Sequence, residues 1–171
     1  MRRRSLLPAF AVGLLSVFVG GSLVMRAQES TPPPTSVGIT TDLLGSGQVD
    51  AAPGMTLGAR RNTFAPGGMV PPHHHPGALV LQVEAGELTY SLVEGLVQIH
   101  RAARAGTPGP IEHLAPGQEA VLRAGDWLFE QSVVHSAHNA TANETVVLVV
   151  SLTAGDLPFT ILHEMGTPAP K

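Results

Sequence analysis

The stretch Gly67-Gly68-Met69-Val70-Pro71-Pro72-His73-His74-His75-Pro76-Gly77-Ala78-Leu79, running on through Val80-Leu81-Gln82-Val83-Glu84 to Gly86, decides the fold. In an extended chain, residues two apart point to the same side. His73 and His75 therefore aim two imidazoles at one place, while His74 points away. Further on, Leu79, Leu81 and Val83 share one face and Gln82 and Glu84 the other, the alternation of a half-buried strand. Ala85-Gly86 then reads as a tight turn into a second strand-like run, Glu87-Leu88-Thr89-Tyr90-Ser91-Leu92.

Outward from this hairpin the same pattern repeats. Leu96 to His100, Glu119 to Arg123, Trp127 to Glu130 and Thr145 to Leu152 are short β-rich runs. Between them lie Pro108-Gly109-Pro110, Pro116-Gly117 and Gly125-Asp126, with Pro66-Gly67-Gly68 ahead of the histidines. No segment carries a 3.6-residue period and no internal repeat is present. Composition agrees: 13% charged and 4% aromatic residues, against 19 Gly and 15 Pro, suit short strands and turns rather than surface helices. The chain is all-β, an antiparallel sandwich or barrel. At 171 residues it has room for one domain plus tails.

The ends differ from this core. Arg2, Arg3 and Arg4 precede Ser5 to Met25, which carry no charge. A basic start and an apolar stretch predict a signal peptide or membrane anchor over residues 1–27. The site for cleavage after Ala27 is poor, with Met25 three residues before the cut, and the stretch is long enough to span a bilayer, which takes about 20 residues. Export is expected either way, secreted or membrane-anchored. Residues 28–52, with Thr31-Pro32-Pro33-Pro34, read as a flexible tether, residues 53–165 as the folded domain, and residues 166–171 as a loose tail.

Charge and cysteine usage exclude whole classes of function. The net charge is −3, with no basic run beyond the first four residues, so there is no footprint for nucleic acid. With no cysteine, disulfides, thiolate catalysis and thiolate-bound zinc are ruled out. Histidine is the remaining nitrogen ligand. Of eight histidines, three stand at 73–75 and two in His135-Ser136-Ala137-His138-Asn139. His135 supplies a third imidazole from a distant strand, and three nitrogens suit a divalent transition metal (Fe, Mn, Ni, Cu or Zn) with positions open for water or substrate. The bland alternatives are a solvated His-His-His loop and a satisfied core histidine at 135.

The spacing resembles that of the cupins. Their first motif runs glycine, five residues, His-x-His, three or four residues, glutamate, six residues, glycine; Gly67, His73, His75, Leu79 and Gly86 occupy those positions. The second motif ends in His, three residues, Asn, matched by His135 and Asn139. Gly125 opens it one residue closer to the histidine than usual, and Glu130 and Ser132 stand where the pattern has Pro and Gly. The resemblance covers about Leu57 to Leu152. It implies a single cupin-like β-barrel or jelly roll, a metal held by His73, His75 and His135, and a possible homodimer.

Leu79 replaces the glutamate that usually completes the metal set in this family, so the implied centre is three neutral histidines with no carboxylate. Two functions follow: a dioxygenase-like metal-dependent oxidoreductase acting on a small organic substrate, or a non-catalytic module binding a small ligand or metal at the cell surface. A metal-free structural barrel is the third reading. Glu112, His113, His163 and Glu164 read as surface, His138 as exposed or else a partner supporting His135, and His100 as uninformative. Trp127 and Phe129 read most simply as core, with the mouth of a ligand pocket as the alternative. Asn139-Ala140-Thr141 and Asn143-Glu144-Thr145 match the glycosylation sequon.

Overall fold

A computed structural model describes residues 35–163, and every regular element among them is a β-strand. In chain order these are β1 (Val37–Gln48), β2 (Met55–His74), β3 (Gly77–Ala85), β4 (Glu87–Glu94) and β5 (Val97–His100). There follow β6 (Ile111–Leu114), β7 (Glu119–Arg123), β8 (Trp127–Gln131), β9 (Val134–His138), β10 (Thr145–Ala154) and β11 (Ile161–Leu162). The order β6-β5-β8-β3-β10-β2-β9-β4-β7, antiparallel throughout, curls into a nearly closed jelly-roll barrel. β1 and β11 pair with β2 outside this path.

Alternation on β3 comes out as the sequence predicts. Leu79, Leu81 and Val83 are buried, and Gln82 and Glu84 are exposed. Glu84 forms an ion pair with Arg61 on the outer surface, 2.6 Å apart. Val83, Leu88, Tyr90, Leu92, Leu122 and Leu128 are among the fully buried side chains of the core. Each such apolar side chain contributes roughly 1.5–3 kcal/mol by leaving water.

The longest strand, β2, turns the corner of the barrel. Its first half pairs with β10 and its last residues with β9 and β11. Gly67 takes the bend at φ +74°, a backbone region that side chains with a Cβ disfavour. Asn139 fastens the bend: its buried amide nitrogen reaches the carbonyl oxygens of Phe64 (3.0 Å), Ala65 (3.2 Å) and Asn143 (2.6 Å). An amide so committed is no glycan acceptor. Beyond the bend the β2–β9 register shifts between Val70 and His73. That bulge, at Pro71-Pro72, changes the inward parity of the strand. Asn62, Phe64 and Val70 face the interior before it, His73 and His75 after it.

Asp126, at the turn after Gly125, organises the other end. Its carboxylate accepts from the amides of Ala102 (2.8 Å) and Arg123 (2.9 Å) and from the Arg101 guanidinium (2.6 Å), which also reaches Glu112.

Three sequence expectations are corrected. The tether expected over residues 28–52 contains strand β1, which pairs with β2 from Val37↔Met69 to Gln48↔Thr56. Its Thr, Ser and Gly residues hide a strand because β1 lies at an edge with nearly every side chain exposed, so no alternation appears. Trp127 and Phe129 are not core: Leu128 and Glu130 face inward, Phe129 is 48% exposed, and Trp127 stacks on His100 at 3.8 Å. The transmembrane, signal-peptide and secreted readings find no support among the described residues, where no helix is long and apolar enough to cross a membrane. Residues 1–27, on which those readings rest, and the tail at 166–171 lie outside the described residues.

Candidate metal centre

Inside the barrel the three predicted imidazoles meet. Candidate ligand atoms of His73, His75 and His135 all lie within 4.8 Å of one another. His73 and His135 are cross-strand partners on β2 and β9, with ring centroids 4.2 Å apart, and the His73 and His75 rings stand edge to face at 4.8 Å. His74 is half-buried and outside the cluster, as its strand parity requires.

Hydrogen bonds fix which nitrogen is free in two of the rings. His73 Nδ1 lies 2.8 Å from the Pro71 carbonyl oxygen, and His75 Nδ1 lies 2.7 Å from that of Phe159. A carbonyl only accepts, so each Nδ1 carries the hydrogen and each Nε2 presents a lone pair to the interior. Burial drives all three imidazoles toward the neutral form. His73 is lowered, His75 falls to about 4 and His135 well below its ordinary value. Neutral rings need lose no proton to become ligands.

A carboxylate that sequence reasoning missed stands among them. Glu130 on β8 is 2% exposed, and its Oε2 lies 3.3 Å from His135 Nε2 and 4.0 Å from His75 Nε2. The two Nε2 atoms are 3.4 Å apart. The description of the site as three histidines without a carboxylate is therefore corrected. The local pattern gave one usable signal: Glu130 alternates with Leu128, so the two share a face. Burial pushes the Glu130 carboxyl up to about 8. Tyr90 stacks on His135 at 4.7 Å, and burial with the adjacent Glu130 pushes its phenol upward. The two groups influence each other, yet no well-formed hydrogen bond joins them.

Two separations within the donor set match those around a metal ion. Ligands about 2.1 Å from an ion and at tetrahedral or octahedral angles stand roughly 3.0–3.4 Å from one another. The His75–His135 Nε2 separation of 3.4 Å and the His135 Nε2–Glu130 Oε2 separation of 3.3 Å fall in that range. The 4.0 Å from His75 Nε2 to Oε2 and the 4.8 Å spread of the three histidines exceed it, so the side chains would draw in around an ion. Both Glu130 oxygens and His135 Nδ1 are buried without a hydrogen-bond partner, a cost that a cation relieves for the carboxylate. The cluster can hold a divalent transition metal.

The remaining space is small. A cavity of about 60 Å³ is lined by the three histidines together with Leu79, Leu81, Val147, Val149 and other apolar side chains. Phe159 and Thr160 contribute to its rim. The Phe159 ring packs 4.4 Å from that of His75, and the Arg60 guanidinium lies 3.5 Å above the centre of the same ring.

The remaining candidates stay out of the site. His138 is half-buried on the opposite face of β9 from His135. His100 is spent on Trp127, Glu112 and His113 are exposed, and His163 lies 3.7 Å from Glu94. Glu164 lies outside the described residues.

Gly67 and Gly86, which bracket the first histidine motif, both adopt positive φ, and Asn139 closes the second by hydrogen bonding rather than by joining the histidine cluster. The barrel is cupin-like. No protein-family model matches the chain, and none of the curated proteins matches it. Among solved structures it is similar to a cupin 2 domain-containing protein from Halorhodospira halophila, at 18% identity over 75% of this chain and 72% of that one, TM-score 0.44. It is similar also to the polyketide cyclase RemF from Streptomyces resistomycificus, at 17% identity over 75% and 78%, TM-score 0.38. A recombinant oxalate oxidase in complex with glycolate matches at 25% identity over 78% of this chain and 57% of that one, TM-score 0.36. Likenesses at these TM-scores carry no functional argument.

Proposed function

We propose that the barrel binds one divalent transition-metal ion through Nε2 of His73, His75 and His135, and acts as a dioxygenase-like oxidoreductase on a small organic substrate. The observation that carries this reading is the convergence of neutral imidazoles on an apolar cavity with space left beside them. When bound, the ion would supply a Lewis-acid and redox centre. The protein's part is to hold and shield. The carbonyls of Pro71 and Phe159 orient two of the rings, and Leu79, Leu81, Val147 and Val149 exclude bulk water. A cavity of about 60 Å³ restricts any co-bound molecule to a few heavy atoms.

That same small volume favours the second reading, a non-catalytic metal or small-ligand module. Tag-free protein is expected to contain about one transition metal per chain, and His75→Ala to lose it. Oxygen uptake by metal-loaded protein across a panel of small organic acids and alcohols separates the two readings. No uptake with any substrate, from protein holding a full complement of metal, leaves the binding module.

A further inference from the structure

We propose that Glu130 is the fourth protein ligand of this metal centre, delivered from β8 across the strand ladder from Leu79. The assignment rests on the metal-binding reading above and adds a residue to it.

No well-formed hydrogen bond accounts for the place of Glu130. Both carboxyl oxygens are buried and accept no hydrogen bond, and no lysine or arginine bridges to it among the described residues. A carboxylate stripped of water without a cation or donor costs several kcal/mol. Its nearest chargeable neighbours are His135 at 3.3 Å and His75 at 4.0 Å, whose Nε2 atoms lie 3.4 Å apart. Tyr90, the remaining polar group nearby, also has a buried oxygen without a partner. One ion placed between Oε2 and the two Nε2 atoms satisfies these donors together.

Register explains how the carboxylate reaches the site. Leu79 on β3 and Glu130 on β8 are direct partners in the antiparallel ladder, both buried on the inner face. Directly opposed residues have Cβ atoms about 4.5–5.5 Å apart, and Leu79 itself lines the cavity. Glu130, on the neighbouring strand, reaches the histidines beside that cavity, with Oε2 3.3 Å from His135 Nε2. The carboxylate also reduces the charge that a divalent ion brings into an apolar interior from two to one, which lowers the cost of burying it.

The test is metal affinity, read by competition against a chromophoric chelator, together with the visible spectrum of the Co(II)-loaded protein. Loss of groups that merely orient a ligand costs about 10–100-fold in affinity; Glu130→Gln is expected to cost at least about 100-fold and to change the Co(II) bands. The double substitution Leu79→Glu/Glu130→Leu returns a carboxylate from the facing strand and is expected to recover wild-type affinity to within about tenfold. Wild-type affinity and spectrum in Glu130→Gln would overturn the assignment. If Glu130→Gln does not fold, the double variant decides: folded protein that binds as wild type supports the assignment, and folded protein that does not bind overturns it. Wild-type protein that takes up no ion overturns the metal reading itself.

Discussion

The imidazole of His75 donates from Nδ1 to the backbone carbonyl oxygen of Phe159, 2.7 Å away and 84 residues later in the chain. This bond ties the end of β2 to the segment between β10 and β11, and the Phe159 ring packs on the imidazole it restrains. A metal ligand is thus aimed by a segment that holds none of the other ligands.

Phe159→Ala is accordingly expected to weaken metal binding by about tenfold, in the range typical of groups that orient a ligand. The backbone carbonyl remains, but the ring that seats it between His75 and Arg60 is gone. Chelator competition measures the change, and an unaltered affinity would show that the segment is merely adjacent.

Strand phase separates His74 from its neighbours His73 and His75, and β9 brings His135 to those two. His135→Ala should abolish stoichiometric metal, whereas His74→Ala, outside the cluster, should leave it within about twofold. Elemental analysis of tag-free protein reads both. Comparable losses in the two variants would mean that the His73–His75 run chelates metal as a loop.

Acid sensitivity should centre on Asp126. Burial works against its ionisation, but the amides of Arg123 and Ala102 and the Arg101 guanidinium together hold its carboxyl below the ordinary value of 3.8. A depressed folded pKa gives a stabilisation that is complete above the unfolded value and fades as pH falls through the folded one. Urea unfolding should therefore show wild type losing ground to Asp126→Asn as the pH drops below about 4. At neutral pH the variant should be less stable by about 3 kcal/mol, since charge-assisted bonds to a buried group are removed. Parallel pH profiles for the two proteins would be incompatible with this.

Ser132 is the reverse case, a position where substitution should help. It is exposed and lies at φ +55°, in the left-handed region that costs a residue with a Cβ about 1–2 kcal/mol. Ser132→Gly should stabilise the protein by about 1 kcal/mol, after the larger chain entropy of glycine is counted, and raise Tm by about 3 °C. A lower Tm would mean that the hydroxyl makes a contact worth more than the relief.

Much of this was legible in the chain because the relevant signals are local. Period-2 alternation placed Leu79, Leu81 and Val83 inside, and the spacing from Gly67 to Gly86 placed His73 and His75 on one face. Glu130 was not legible in the same way. Its proximity to the histidines depends on which residue of β8 faces Leu79, a register that no short window of sequence contains. Trp127 and Phe129 misled further: two aromatics two apart suggest a buried face, yet here they cover the outside of the barrel. β1 escaped because an edge strand exposed on both sides has no hydrophobic rhythm.

The bulge at Pro71-Pro72 makes chain length itself carry chemical information. One residue more or fewer between Val70 and His73 would rotate the end of β2 by half a pleat. His74 would enter the barrel alone, and two imidazoles would turn to solvent. An insertion that most loops absorb without consequence would, at this place, erase the metal centre while leaving every histidine in the sequence.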